Sequence, residues 1–313
     1  MLDTVVKAGA LQGLRRIAQQ EDLNFLLTNR IPRIALTLLM GRFSRIDSPW
    51  LTRLSLAVWR AFTDLDLSDA KPKRYRSLHE VFTRALVDGA RPVDPDPAVL
   101  ISPCDAIVGA CGLVEQGLVV QAKGFPYAVR ELFGPSQDVS VFEGGAYVTL
   151  RLTSAMYHRF HAPAAGCIEH VTYLSGDTWN VNPIALQRVE RLFCRNERAV
   201  LRVRLPGGGA LALVPVAAVL VASIRLHFLD ECLHLGWKGP HEMPCSAEVA
   251  KGDELGWFEH GSTIIVFASP GMDLAPGIAT GARIRMGQAL LRGSAPAAAG
   301  EAAARAAAGL RPR

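Results

Sequence analysis

The sequence predicts an α+β protein. A helical layer over residues 1–70 is followed by a β-rich domain over 71–293 and an alanine-rich tail over 294–313. Three observations predict it. In the first segment apolar residues recur at three- and four-residue spacing, as in Leu36, Leu39, Met40 and Phe43, and glycine is scarce after Gly13. From about Val99 to Val266 the pattern changes to short alternating or apolar runs punctuated by Gly, Pro and Asp, which is how strands and their turns read. From Ser294 onward the chain is almost all Ala and Gly with a few charges, and it carries no chemistry.

The 313 residues suffice for one large domain or two ordinary ones. Half of them are hydrophobic and a fifth are charged, which excludes a mostly disordered chain. A formal charge of +5 admits an anionic partner, either nucleic acid or acidic lipid, and its sign does not choose between them. No nucleic-acid recognition motif accompanies the charge. Six cysteines lie at 104, 111, 167, 194, 232 and 245 with no CxxC pair. That spacing predicts reduced thiols in a cytosolic setting, with no disulfide framework and no metal site. The N-terminus lacks the layout of a signal peptide, and no stretch approaches the roughly 18 apolar residues of a spanning helix. A membrane, if involved, would be touched from one side.

Within the helical layer, Arg30, Arg33, Arg42, Arg45, Arg53 and Arg60 face a single acid, Asp47, and Trp50, Trp59 and Phe62 are interleaved with them. Basic helices with an apolar face and tryptophans suit an anionic membrane surface. They also suit a layer packed on the protein's own core with its arginines in water. Both readings stand at this point. The strand-like runs of the next segment are Ala146–Leu152, Ile168–Leu174, Val200–Leu205, Leu211–Ile224 and Thr263–Phe267.

Three clusters carry residues able to do chemistry. Asp105 follows an apolar run in Ser102-Pro103-Cys104-Asp105, where an Asp is also a common turn-former. Tyr157-His158-Arg159-Phe160-His161 sets two histidines at i and i+3. They would share a face if this were a helical turn, and they suit proton transfer better than metal binding because no third ligand is spaced for it. The third cluster runs from Lys251 through Gly261-Ser262-Thr263 into the apolar Ile264-Ile265-Val266-Phe267. Gly261, with no Cβ, leaves its carbonyl open to a nucleophile, and Gly-Ser is equally an ordinary tight turn. An Asp, a His and a Ser in separate loops of a β-rich domain are compatible with a triad.

Taken together, these segments resemble the phosphatidylserine decarboxylase family from about Ser77 to Val266. The resemblance is carried by Phe82-Thr83-Arg84 with Arg91-Pro92, Ser102-Pro103-Cys104-Asp105, Lys123-Gly124 and Tyr157-His158-Arg159-Phe160-His161-Ala162-Pro163. It continues through Gly176-Asp177 with Val181-Asn182, Arg195-Asn196-Glu197-Arg198, Ser223-Ile224 and Gly261-Ser262-Thr263. Ala106 and Ala222 stand where the family usually has Gly, and His260 stands where it usually has Leu.

The resemblance implies a pyruvoyl-dependent enzyme. Decarboxylation of an α-amino acid leaves a carbanion that needs a carbonyl as electron sink, and this family makes one from its own backbone. By resemblance Ser262 attacks the Gly261 carbonyl with His161 as base and Asp105 orienting it. The chain is then cut into 1–261 and 262–313, and residue 262 becomes the pyruvoyl group. His158 is the candidate for the decarboxylation stage. The resemblance further implies phosphatidylserine as substrate, an anionic membrane surface as partner and a peripheral position on the cytoplasmic face of the cell membrane. It leaves homo-oligomer formation undecided. Two alternatives stand beside it: a related pyruvoyl decarboxylase for another amino-acid or serine-headgroup substrate, and a non-enzymatic lipoyl-like carrier, which would stay uncut.

Overall fold

The computed structural model describes residues 21–122, 125–220, 223–259 and 262–293. The first helical turns expected before residue 21, the tail from 294, Lys123-Gly124, Ala222, His260 and Gly261 lie outside the described residues.

Three helices come first: α1 (Glu21–Asn29), α2 (Arg33–Ser44) and α3 (Pro49–Phe62). Pro32 separates the first two. Ser48 caps α3, its Oγ accepting from the Leu51 N–H at 3.3 Å, and Pro49 occupies the first helical position, where its missing N–H costs nothing. Their amphipathicity is inverted. The residues turned fully into the protein are Thr37 and Ser44 of α2 and Thr52 of α3, whereas Leu39 is 60% and Trp50 is 72% exposed. Phe25 and Trp59 pack against the body of the protein, but many of the layer's large apolar side chains are turned to solvent.

After α4 (Leu78–Phe82), capped by Ser77, come β1 (Val99–Ile101), β2 (Ala106–Leu113), β3 (Leu118–Ala122), β4 (Phe125–Ala128) and α5 (Val129–Phe133). They are followed by β5 (Ala146–Arg151), β6 (Arg159–His161), β7 (Gly166–Leu174), α6 (Pro183–Arg188) and α7 (Leu192–Arg195). Next are β8 (Arg198–Arg204), β9 (Ala210–Val216), β10 (Ile224–Leu226), β11 (Glu231–Leu233) and β12 (Glu242–Val249). The last strands are β13 (Glu254–Phe258), β14 (Thr263–Ala268), β15 (Met272–Leu274), β16 (Arg283–Ile284) and β17 (Ala289–Gly293).

The architecture is α+β, with antiparallel sheets throughout. Eight strands form the main sheet in the order β12-β7-β8-β9-β14-β5-β2-β16, and a four-stranded sheet runs β11-β10-β13-β6. A three-stranded sheet, β1-β17-β15, and the hairpin β3-β4 complete them. In the main sheet β14 lies between β9 and β5, and all six of its residues are inaccessible to solvent. This explains the unbroken apolar run Ile264–Phe267: a strand covered on both faces has no polar side to alternate.

Two expectations are corrected. The run Leu211–Ile224 is not one strand. It is β9 in the main sheet and β10 in the small one, because the chain crosses between sheets after Val216. The segment Tyr157–His161 is not a helical turn. A turn closes at Thr153–Met156, and the chain then extends into β6, pairing Arg159 with Trp257 and His161 with Glu254. An odd separation along extended chain turns the two histidine side chains to opposite faces. Gly256 lets β13 sit tightly between its two neighbours, since a Cβ there would lie 1.8 Å from the Arg225 carbonyl oxygen of β10 and 3.0 Å from the Phe160 ring of β6.

Candidate active site

Asp105 stands between β1 and β2, and both of its oxygens are engaged. Arg91 grips it with Nε–Oδ1 at 2.8 Å and Nη2–Oδ2 at 2.6 Å, and the Met286 N–H donates to Oδ1 at 2.9 Å. Arg91 also reaches Asp69 at 2.7 Å. The hydrogen bonds and charges of Asp105 and Asp69 raise the Arg91 pKa well above its ordinary value, so this guanidinium stays charged. A forked pair of this kind holds a carboxylate in a single orientation.

His161 ends β6. Its Nδ1 lies 2.9 Å from the Gly252 carbonyl oxygen and its Nε2 lies 3.1 Å from the Tyr157 hydroxyl. A carbonyl only accepts, so Nδ1 carries the proton and Nε2 is the basic nitrogen, accepting from Tyr157. Gly252 presents that carbonyl from a turn at φ +90°, a conformation glycine adopts without strain. Burial lowers the His161 pKa below the usual imidazole range, opposed by the Gly252 hydrogen bond and the Glu254 charge. The ring is therefore neutral at pH 7, as a base must be. Burial pushes the Tyr157 hydroxyl well above its usual range, which keeps it a donor.

Asp105, expected to orient His161, makes no hydrogen bond to it. The ring N–H donates to the Gly252 carbonyl instead. Asp105 acts on the imidazole only through its charge, which favours the protonated ring. The two segments are nonetheless adjacent, because the His161 N–H donates to the Pro103 carbonyl at 2.9 Å. Sequence reasoning missed Tyr157, Arg91 and Gly252 as partners, although all three lie inside or beside the motifs that drew attention.

Ser262 stands at the head of β14. Its carbonyl accepts from the Leu152 N–H at 2.9 Å, its side chain is 0% exposed, and its Oγ has no hydrogen-bond partner among the described residues. The same holds for the neighbouring Thr263 hydroxyl and Oε2 of Glu259. Buried polar atoms without partners are rare, and three of them around one short segment call for a chemical reason. Oε1 of Glu259 is held by Arg45 of α2 at 2.6 Å, which ties the helical layer to this segment. No hydrogen bond joins Ser262 to His161.

His158 is fully buried just before β6. Its carbonyl accepts from the Phe258 N–H at 3.0 Å, and its ring meets the Phe82 ring edge-on at 5.5 Å. Phe82 in turn packs on Trp59 of α3 at 4.4 Å. The two histidines thus have different surroundings: His161 a polar cradle, His158 an aromatic wall.

The remaining motif residues hold the frame. Asn196 spends its amide on Trp179 and the Ala217 carbonyl, and Arg198 binds the carbonyls of Leu132, Cys194, Asn196 and Glu131. Between them Glu197 is 0% exposed, and burial pushes its pKa up to about 7 against the opposing influence of the Tyr173 hydroxyl. The folded carboxyl keeps its proton where the unfolded one, near 4.5, has lost it. Its contribution to stability is therefore complete below pH 4.5 and is lost as pH rises to 7, by roughly 3 kcal/mol at most. Glu197→Gln should flatten the decline in unfolding free energy between pH 4.5 and 8, measured by denaturant titration. An unchanged slope would mean that Glu197 is not the group responsible.

Comparison with known proteins bears on this arrangement. A family model described as phosphatidylserine decarboxylase matches residues 78–292. A protein of Brevibacillus brevis named phosphatidylserine decarboxylase proenzyme is 34% identical over 270 residues, covering 84% of this chain and 95% of the relative. Proteins of the same name are 37% identical in Myxococcus xanthus (77% of this chain, 87% of the relative) and 38% identical in an Anaeromyxobacter species (83% and 94%). Matches of this extent, on this fold and site, define an enzyme of the decarboxylases whose relatives are named as proenzymes. The chain belongs to the phosphatidylserine decarboxylase family.

Proposed function

We propose that the chain cuts itself between Gly261 and Ser262 and that the processed protein removes CO₂ from phosphatidylserine, leaving phosphatidylethanolamine. The observation that carries this reading is the Ser262 Oγ, fully buried and unpartnered at the head of the central strand. An orphaned hydroxyl is what a nucleophile awaiting its electrophile looks like, and the residue before it is a glycine.

In this reading Ser262 Oγ attacks the Gly261 carbonyl carbon and its proton passes to His161 Nε2 once the Tyr157 hydroxyl turns away. The Ser262 nitrogen leaves with a proton, so the amide becomes an ester. Loss of the Cα proton of residue 262 expels the Gly261 carboxylate, and water then releases ammonia to leave a pyruvoyl group at the new N-terminus. Asp105 favours the protonated His161 through its charge, while Arg91 holds the carboxylate still. Burial around Ser262 fits a small carbonyl formed in place, with Leu152 holding its strand. When formed, that carbonyl supplies the electron sink for decarboxylation. His158, against Phe82, is placed by this reading beside the scissile carboxylate, where an apolar wall favours loss of charge as CO₂ and the imidazole can return a proton.

The inverted helices support a membrane-facing role. Among the described residues, nine of the fourteen exposed large hydrophobic side chains lie between Leu26 and Phe62. Apolar exposure of that density on one layer marks an interaction surface. No described helix is long and apolar enough to cross a membrane. Arg33 and Arg45 are not free for lipid headgroups, since they pair with Asp177 and Glu259, whereas Arg30, Arg42, Arg53 and Arg60 are exposed. Replacing Leu39, Trp50 and Phe62 together with serine should weaken binding to anionic vesicles by roughly a thousandfold or more, given roughly 1.5–3 kcal/mol per buried side chain. Flotation with wild-type affinity would reduce the layer to a structural one.

The experiment that tests the function is the intact mass of the purified protein followed by release of labelled CO₂ from carboxyl-labelled phosphatidylserine. Two chains meeting at 261/262, with the smaller blocked at its N-terminus, are expected. An uncut chain favours the carrier alternative, and a cut chain inactive on this lipid favours a different amine substrate.

A further inference from the structure

A cleft of about 740 Å³ lies between the helical layer and the main sheet. Its helical wall is apolar, with Phe43, Leu51, Leu54, Val58 and Trp59, and Phe82, the ring against His158, lines it too. At the end of β5 the lining becomes polar: Arg151, then Thr153 and Ser154. Leu152, also in the wall, is the residue that holds the Ser262 carbonyl. The cleft therefore adjoins the nucleophile and the candidate decarboxylation residue from one side.

Arg151 is the anomaly in this lining. It is the last residue of β5, paired across the ladder with Thr263, next to Ser262. Its guanidinium has no hydrogen bond or ion pair among the described residues, and burial is the one influence on its charge. Burial lowers its pKa, and no neighbouring carboxylate counters that. The other two partly buried arginines of the site region are fully committed: Arg91 to Asp105 and Asp69, Arg159 to Glu254 and the Thr83 carbonyl. A half-buried guanidinium held without an anion is costly unless an anion arrives with the ligand.

We propose, resting on the function above, that Arg151 binds the phosphodiester of the phospholipid substrate while the apolar part of this cleft receives the first carbons of its acyl chains. The dimensions agree. In a serine headgroup only Cα, Cβ and an ester oxygen separate the amine from the phosphorus, a few ångströms in all. The amine must reach the carbonyl at residue 262, and Arg151 sits opposite residue 263 on the adjacent strand, about 5 Å away between Cα atoms. Guanidinium groups match phosphate oxygens in a forked geometry. The other anion of the substrate, its carboxylate, is the wrong partner. An ion pair there would stabilise the charge that the reaction must expel, whereas His158 and Phe82 offer that group an apolar setting. Arg151 thereby ranks as a substrate-binding residue that selects headgroups carrying a phosphodiester.

The test compares wild type, Arg151→Ala and Arg151→Lys, each first checked by intact mass for cutting at 261/262. Binding is read by calorimetry with dihexanoylphosphatidylethanolamine, which keeps the phosphodiester and lacks the carboxylate. A matched analogue with a neutral carbonate in place of the phosphodiester serves as control. Arg151→Ala should bind the phospholipid roughly tenfold to hundredfold more weakly and the neutral analogue as wild type does. Arg151→Lys should fall between, and KM for short-chain phosphatidylserine should rise with the same order while kcat changes less. If Arg151→Ala binds the phospholipid as tightly as wild type, or loses both ligands equally, the assignment is overturned. Should Arg151→Ala fail to fold, the Lys variant and the two ligands decide alone, because a loss confined to the phosphodiester ligand has no structural explanation. A wild-type chain that stays uncut sinks the processing reading and still leaves the calorimetry to judge Arg151.

Discussion

Ser262→Ala is expected to remain a single chain of 33.8 kDa and to release no CO₂ at any lipid concentration. The substitution removes one oxygen from a side chain that is fully buried and makes no hydrogen bond among the described residues. It therefore breaks no contact, and deleting an unpartnered buried hydroxyl should leave stability unchanged or slightly raised. A folded, uncut, inactive protein thus separates chemistry from folding, which few active-site substitutions can do. Ser262→Cys keeps a nucleophile in the same space and should cut slowly. Mass spectrometry after incubation at pH 7 reads the first result. An uncut Ser262→Ala chain that still decarboxylates would remove the pyruvoyl cofactor from the reading altogether.

The two histidines should fail differently, and by large factors. His161→Ala removes the basic Nε2 and should slow cutting by roughly 10²–10⁴-fold, the ordinary worth of a general base. Asp105→Ala should also slow cutting, through two losses: the charge favouring protonated His161, and the forked contact that orients Arg91, which is left with Asp69 alone. His158→Ala should be cut at the wild-type rate, carry the blocked small chain, and yet fail to release CO₂. Because burial holds His161 below the usual imidazole range, cutting should be nearly constant from pH 8 to about 6.5 and fall only in more acid solution. Time courses of the two chains on denaturing gels, with CO₂ release measured on the cut protein, give both answers. Reversed behaviour, with His158→Ala uncut and His161→Ala processed, would exchange the two roles.

Much of the molecule was legible in the chain because short-range patterns carry it. The apolar run after Ser262 announced a strand buried on both faces, and the spacing of Leu36, Leu39, Met40 and Phe43 announced helices. Ser48 and Ser77, each ahead of a helix, are local signals that need no tertiary context. The histidine segment misled for the same reason. An i, i+3 pair reads as one face of a helix, but the ladder with β13 draws Arg159–His161 into a strand. Local pattern yields there to pairing with residues almost a hundred positions away.

The sequence by itself determined the α+β class, the succession of helices before strands, and the candidates Asp105, His158, His161 and Ser262, because residue type and order along the chain suffice for these. Only the tertiary structure decided their partners. It directed the ring N–H of His161 at the Gly252 carbonyl, bound Asp105 to Arg91, and left Ser262 Oγ and the Arg151 guanidinium without a partner among the described residues. It also settled which side of α2 and α3 faces outward, turning Thr37, Ser44 and Thr52 inward and Leu39 and Trp50 to solvent. Helical periodicity marks two faces and does not say which one meets the protein. That choice, like each hydrogen bond of the site, depends on what the folded chain brings opposite, and burial and partnership are properties of pairs that no single position encodes.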